Sequence, residues 1–344
     1  MALQGRKKAF YAPVTRVCYH TVSAGSHEPY LRAILARACR PVLRGGLGYG
    51  SVVVTHRGCA GVPITSPRLY TAGHTEDLKQ ALMYLLYHYP QSRLLGLGFS
   101  LGANVMTRYV SEEGDKSRLP SAVVLSCPWD MQKNGHALVS TFAGKNLYAR
   151  GMGRNMVRLV RRHERSLRKF PDHPICKELP SVLALRFPTL PHFDDTFTRR
   201  VGGEAPTFPI PTIDDYYFWA SSDKRIQDIG IPFLSINSDD DPVVTSVPLD
   251  SKGNGSIVMV LTKKVGYLGW FTSGSERWTT QPILEWLELM GNGVVLDNSP
   301  HLPLSVDCDG FIRGKEEQLA CTVEAVNDGV IDGTEGDQSL LRLS

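Results

Sequence analysis

The sequence predicts an α/β protein with a mostly parallel sheet. Three observations carry that prediction: short apolar runs of strand type, helix-period segments between them, and Gly, Pro or Asp at the junctions. Val17 to Tyr19 reads as a short first strand, and Ser51-Val52-Val53-Val54-Thr55 as a buried one. Thr75-Glu76-Asp77 then opens a helix. It has a hydroxyl N-cap, acids in the first turn, and Leu78, Ala81, Leu82, Leu85 and Leu86 at helical spacing. Pro90 closes that helix. Further strands follow at Leu94 to Gly98, Ala122 to Leu125, Pro232 to Ile236 and Ser256 to Leu261, and Gln281 to Met290 reads as a closing helix.

Between about residues 130 and 230 the texture changes. Arg154 to Lys169 reads as a basic amphipathic helix with Met156, Leu159, Val160 and Leu167 on one side. Pro, Phe and Tyr follow in irregular order with no clear strand, as expected of an insertion that caps a pocket. The helix's basic face is read as solvated, with contact to an acidic membrane surface as the alternative. Domain boundaries are therefore expected at 1–16 (a basic leader), 17–290 (the sheet domain, with its cap at about 131–230) and 291–344 (a Gly- and Asp-rich, loosely ordered tail).

Composition excludes several classes. A chain of 344 residues, 42% hydrophobic and 21% charged, can bury a core and is not disordered as a whole. No apolar run approaches the ~18 residues of a membrane-spanning helix. Seven scattered cysteines without a CxxC pair argue against a disulfide scaffold or zinc ribbon and for a reducing, cytoplasmic setting. Residues 1–50 hold eight Arg or Lys against one acid, Glu28, so the net charge of +4 sits at the amino end. A leader before the first strand is the plain reading, with a mitochondrial presequence or a polyanion-binding arm as alternatives. Neither a dinucleotide fingerprint nor a P-loop is present, no His has metal-ligand spacing, and no cofactor, metal or nucleic-acid partner is expected.

The chemistry-bearing segment is Gly98-Phe99-Ser100-Leu101-Gly102, between a strand and the helical stretch from Ala103 to Val110. A serine on a sharp strand-to-helix turn projects its hydroxyl above the sheet, and the glycines permit the turn. The Leu101 N–H at the helix start can face a developing oxyanion, and Val22, in His20 to Gly25, is placed to supply a second. A serine nucleophile needs a base, and the base an orienting acid. Asp241, in Asp239-Asp240-Asp241-Pro242 after the fourth principal strand, is the candidate acid, with Asp240 as the alternative. The base is the departure. His301 is the one histidine after Asp241, and the loop after the next strand, Val265 to Phe271, offers Tyr267 instead. An unperturbed tyrosine titrates near pH ~10 and is a poor base at neutral pH. Lys263 and Lys264 stand near enough in sequence to lower that value.

Taken together, these residues resemble the YheT-like branch of the α/β-hydrolase superfamily, fungal members in particular, from about His20 to Leu289. Its specific pieces are Arg57 to Gly61, Thr65 to Tyr70, Gly73 to Leu78, Gly98 to Asn104 and Cys127 to Asp130. The resemblance implies an eight-stranded α/β-hydrolase sheet and esterase activity on acyl esters. In fungal relatives it also implies acyl transfer from acyl-CoA to an alcohol, making medium-chain esters. Ser100 matches the family nucleophile and Asp241 the family acid. The family loop Gly-Gly-His-Leu-Gly-Trp falls on Val265 to Trp270, so Tyr267 takes the place of its histidine. The loop His-Gly-Leu-Thr-Gly-Gly falls on His20 to Gly25, with Thr21 and Ala24 replacing glycines. Relatives have a longer stretch ahead of the first strand here, so the amino-terminal strands of the sheet are expected to be incomplete.

Two functional readings follow. In the first, Ser100 forms an acyl-enzyme from a small acyl ester or acyl-CoA, and water or an alcohol takes the acyl group, with turnover impaired by Tyr267. In the second, the chain is a non-catalytic pseudo-hydrolase that binds acyl ligands. Either admits peripheral lipid contact without an integral membrane segment.

Overall fold

The computed structural model describes residues 2–4, 16–21, 28–272, 276–294, 303–314 and 317–323. Strands β1 (Ala2–Gln4), β2 (Arg16–Thr21), β3 (Gly50–Thr55), β4 (Leu94–Phe99), β5 (Ser121–Leu125), β6 (Phe233–Ser238) and β7 (Ile257–Thr262) form one sheet. Their spatial order is β1-β3-β2-β4-β5-β6-β7. Every neighbouring pair is parallel except β1 with β3. Seven strands among the described residues stand where the resemblance implied eight. Residues 2–4, inside the stretch expected to be a leader, add the antiparallel strand at one edge.

The sheet is covered on both faces, which is why its inner strands read as continuous apolar runs. On one face lie α2 (Glu76–His88) and α3 (Leu101–Glu113), with Leu78, Leu82, Met106 and Val110 against Val52, Val54 and Val124. On the other lie α1 (Pro29–Ala38) and α10 (Thr280–Glu288), with Leu31, Ile34, Ile283 and Leu287 against Val53, Leu97 and Val123. Strand β4 alternates between the layers. Leu95, Leu97 and Phe99 fill the α1/α10 side, while Gly96 and Gly98 face α3. A Cβ on Gly98 would lie 2.8 Å from the Ala103 Cα, and one on Gly96 2.9 Å from the Met106 sulfur. Glycine at both positions lets α3 press onto the strand that precedes it.

The insertion between β5 and β6 contains helices only: α4 (Met131–Ser140), α5 (Arg150–Leu167), α6 (Pro174–Leu183), α7 (Leu190–Phe193), α8 (Arg199–Val201) and α9 (Ile213–Ala220). Asp130 caps α4 by accepting the Lys133 N–H at 2.9 Å, and Thr212 caps α9 through Asp215 at 3.1 Å. Thr75, in the N-cap position of α2, differs from its expected role. Its hydroxyl donates to Glu112 at 2.6 Å and makes no bond to the helix it precedes. All four predicted apolar residues of the basic helix are buried.

The carboxyl-terminal stretch departs further from expectation. Strands β8 (Leu304–Val306), β9 (Ile312–Gly314) and β10 (Ala320–Cys321) form a second, antiparallel sheet. Ile312 and Cys321 bury against Met83 on the outer side of α2. Glu317 makes a two-pronged ion pair with Arg118 at 2.8 and 2.9 Å. Local composition concealed this docking because its apolar residues are few and widely spaced.

Candidate active site

The strand order reverses between β2 and β4: the chain runs from β2 outward to β3, then crosses back to β4. Such a switch opens a crevice at the carboxyl ends of the strands. Ser100 stands there, one residue past β4 and immediately before α3, with φ 52° and ψ −123°. That left-handed backbone is strained for a residue with a Cβ, and strain of this kind persists where the surroundings hold it. Here the Ser100 N–H donates to the Leu125 carbonyl at 2.9 Å, and its carbonyl accepts the Asn104 N–H at 3.1 Å. Leu101 opens α3, and the first amides of a helix lack partners within it. Its N–H is thus available beside the hydroxyl.

The three aspartates after β6 divide the work. Asp239 accepts the Lys264 N–H at 3.1 Å. Asp240, exposed, accepts from Ser238 at 2.5 Å and from the amides of Val265 and Gly266 at 2.9 and 2.8 Å. Those bonds shape the loop that carries Tyr267 and hold the Asp240 carboxyl below its usual range. Asp241 is buried. Its Oδ1 accepts the N–H groups of Val243 and Val244 at 2.8 and 2.9 Å, and the Ser126 hydroxyl also acts on the carboxyl. Desolvation pushes its pKa up to about 6 against the two amide bonds and the Ser126 hydroxyl.

Tyr267 comes to Ser100: its hydroxyl is hydrogen-bonded to Ser100 Oγ. The loop reaches that position through left-handed backbone at Gly266, Leu268 and Trp270. Trp270 is buried in the sheet core, with its indole N–H on Thr262 at 2.9 Å, and Arg277 clamps the carbonyls of Leu268 and Gly269. Burial raises the Tyr267 pKa well above that of a free tyrosine. The hydrogen bond to Ser100 opposes this, while the charges of Asp241 and Glu28 reinforce it. The expectation that Lys263 and Lys264 lower this pKa is corrected: both are exposed, and the charges that reach the phenol are anions. Tyr267 is therefore a neutral hydroxyl beside Ser100.

Ser100 and Leu101 open into an apolar cavity of about 110 Å³ beneath the cap, lined by Leu138, Met152, Met156 and Leu190 among others. Asp194 lies in the same wall and was not singled out in the sequence. It is buried, accepts from Thr198 at 2.7 Å and Tyr217 at 3.0 Å, and desolvation pushes its pKa up to about 6. Only its place in Phe193-Asp194-Asp195 within an irregular stretch marked it, which is no signal. Asn134, also in the wall, accepts the N–H groups of Thr245 and Ser246 and ties α4 to the loop after Asp241.

The segments that carry the family resemblance prove to be the joints of this site. Arg57 grips Asp77 through two bonds of 2.7 and 2.5 Å and reaches Ser66 at 2.9 Å, fixing the loop after β3 to the start of α2. Asn104 donates to the carbonyls of Ala72 and Ala220, and Arg108 to those of Gly73 and Trp219. His74 stacks on Phe208 and meets Trp219 edge-on, with Nδ1 at 2.7 Å from the Thr71 hydroxyl, so it packs the cap against the sheet. His163 bonds the Gly58 carbonyl at 2.8 Å. Val22 and His301 lie outside the described residues, and among the described residues no cluster of metal-ligating side chains occurs.

No protein-family model matches the sequence. Over 285 residues the chain is 31% identical to a monoacylglycerol lipase of Saccharomyces cerevisiae, covering 81% of this chain and 60% of the lipase. It is 31% identical over 288 residues to medium-chain fatty acid ethyl ester synthase/esterase 2 of the same yeast, covering 78% and 61% respectively. Against the putative esterase YheT of Escherichia coli the identity is 28% over 280 residues, 79% of this chain and 75% of that one. The chain thus spans about 60% of the length of the two yeast relatives.

Proposed function

The chain belongs to the α/β-hydrolase superfamily, and on that premise we propose that it carries an acyl-ester site of serine-hydrolase type whose turnover is impaired. Ser100 is the attacking group, Asp241 the acid, and the Leu101 N–H an oxyanion donor. The apolar cavity takes a medium-length acyl chain. The observation that carries the reading is the hydrogen bond between Tyr267 and Ser100, with the carboxyl of Asp241 buried.

In this reaction Ser100 Oγ bonds to the carbonyl carbon of an ester or thioester, and the carbonyl oxygen becomes an oxyanion. The serine proton must leave in the same step, and the departing alkoxide or thiolate must gain one. Water or an alcohol then reverses the sequence and carries the acyl group away. Each step needs a group that accepts a proton and returns it. A tyrosine with an ordinary pKa is ionised to about one part in a thousand at pH 7, and burial reduces that fraction here. Loss of the base from a serine triad costs about a millionfold in turnover, while oxyanion and binding contacts alone retain roughly 10³–10⁴-fold over water. Slow acylation of Ser100 is the expected outcome.

The second reading, an acyl-binding protein without turnover, is favoured by the same contact, because a neutral hydroxyl on Ser100 Oγ occupies the oxygen that would attack. Labelling by a fluorophosphonate probe separates the roles. The full chain is expected to label slowly at Ser100. Tyr267→Phe is expected to label at the same rate or faster, and His301→Ala to change nothing. A large drop in Tyr267→Phe would make Tyr267 the base and overturn the reading; a large drop in His301→Ala would place the base in the carboxyl-terminal stretch.

A further inference from the structure

The outer face of α5 carries a stripe of basic side chains. At 100° per residue, Arg150, Arg154, Arg158, Arg161, Arg162 and Arg165 fall within a sector of roughly 120°. Arg168 and Lys169, just past the helix end, continue the stripe. All except Arg150 are exposed. Residues 150–169 hold eight Arg or Lys and one acid, Glu164, which faces away from the stripe's centre and pairs with Arg168 at 2.7 Å. No other ion pair involves the stripe among the described residues. Apolar side chains border it. Phe187 is 66% exposed with Arg154 over its ring at 5.3 Å, and Phe142 (86% exposed) and Leu147 (46%) occupy the turn that leads into α5.

A cationic stripe with exposed aromatic and aliphatic neighbours is the composition of a helix that lies on a lipid–water interface. The cations meet anionic headgroups, and the apolar side chains enter the acyl boundary. The same helix has a second duty. On its buried face Met152 and Met156 line the Ser100 cavity, so a surface held against α5 is one helix away from the site.

We propose that α5 is a docking face for an anionic lipid surface, placing the cavity next to a reservoir of acyl esters. The choice of lipid over a dissolved polyanion rests on the acyl-ester reading of the cavity, but the binding assay needs no turnover, so the two can fail separately. The test is co-sedimentation of the full chain with phosphatidylcholine vesicles, with and without phosphatidylserine. At least tenfold tighter binding to the anionic vesicles, weakened by added salt, is expected. Reversing three charges in Arg158→Glu/Arg162→Glu/Arg165→Glu should weaken it about a hundredfold or more, at roughly 1 kcal/mol per basic residue near such a surface. The matching triple Arg→Lys variant should retain binding, which keeps the result readable if the reversal disturbs folding. Phe187→Ala should weaken binding a few-fold without changing its salt dependence. Equal binding to both vesicle types would overturn the proposal, as would full binding by a folded charge-reversed variant, which would move the contact to the basic amino end. Binding to RNA or heparin with none to vesicles would also overturn it.

Discussion

At the residue scale the proposed reading turns on where a proton sits: burial and two anions keep it on Tyr267, whose hydroxyl is the group bonded to Ser100 Oγ among the described residues. Two buried carboxylates tell a related story. Asp194 and Asp241 are each pushed from an ordinary 3.8 up to about 6, so the folded chain binds protons in that window more tightly than the unfolded chain does. Their contribution to stability is therefore fullest below pH ~4 and is lost as the pH rises to about 6. For one such group the loss amounts to up to about 3 kcal/mol. Asp194→Asn removes one of them. Its melting temperature relative to the unmodified chain should rise as the pH goes from 4 to 7, whatever its absolute offset. A difference that is flat with pH would show that Asp194 titrates as an ordinary surface acid.

At the scale of elements, the joint between β4 and α3 builds the site, and the carboxyl-terminal sheet supports the helix beside it. Gly96 and Gly98 let α3 approach the strand, and the closeness forces the tight turn at Ser100. Alternation of Leu95, Leu97 and Phe99 with those glycines is visible in the sequence, which is why strand, turn and helix were all legible there. The small sheet was not. Its strands run two or three residues each, too short for any period, and what holds it are contacts across roughly two hundred positions, Arg118 with Glu317 and Met83 with Ile312 and Cys321. Arg118 and Glu317 are 3% and 8% exposed at the side chain. Removing one member strands the other's charge in a buried place, at a cost of about 3 kcal/mol. Glu317→Gln should lower the urea midpoint accordingly, with the unfolding slope unchanged. An unchanged midpoint would mean the small sheet contributes nothing to the stability of the domain.

At the scale of the whole molecule, the parallel sheet, its two helical layers and the helical insertion were legible because apolar periodicity reports burial directly. The loop carrying Tyr267 was legible in another way. Gly266, Leu268, Gly269 and Trp270 match the family pattern, and the structure shows that they hold the loop through left-handed backbone and a buried indole. Asp194 and the way the cap closes on the sheet were not legible. They depend on contacts such as Tyr217 to Asp194 and Arg108 to the Trp219 carbonyl, which join distant segments of irregular texture. On the proposed reading, the frame around position 267 is intact while the residue in it is no base. Restoring an imidazole there should restore turnover without rebuilding anything else. The most direct measurement is kcat/KM toward p-nitrophenyl octanoate for the unmodified chain and Tyr267→His, with Ser100→Ala as the zero. A gain of roughly a hundredfold or more is expected in Tyr267→His, abolished by adding Ser100→Ala. Fast turnover by the unmodified chain, equal to or above that of Tyr267→His, would contradict the proposed impairment at position 267.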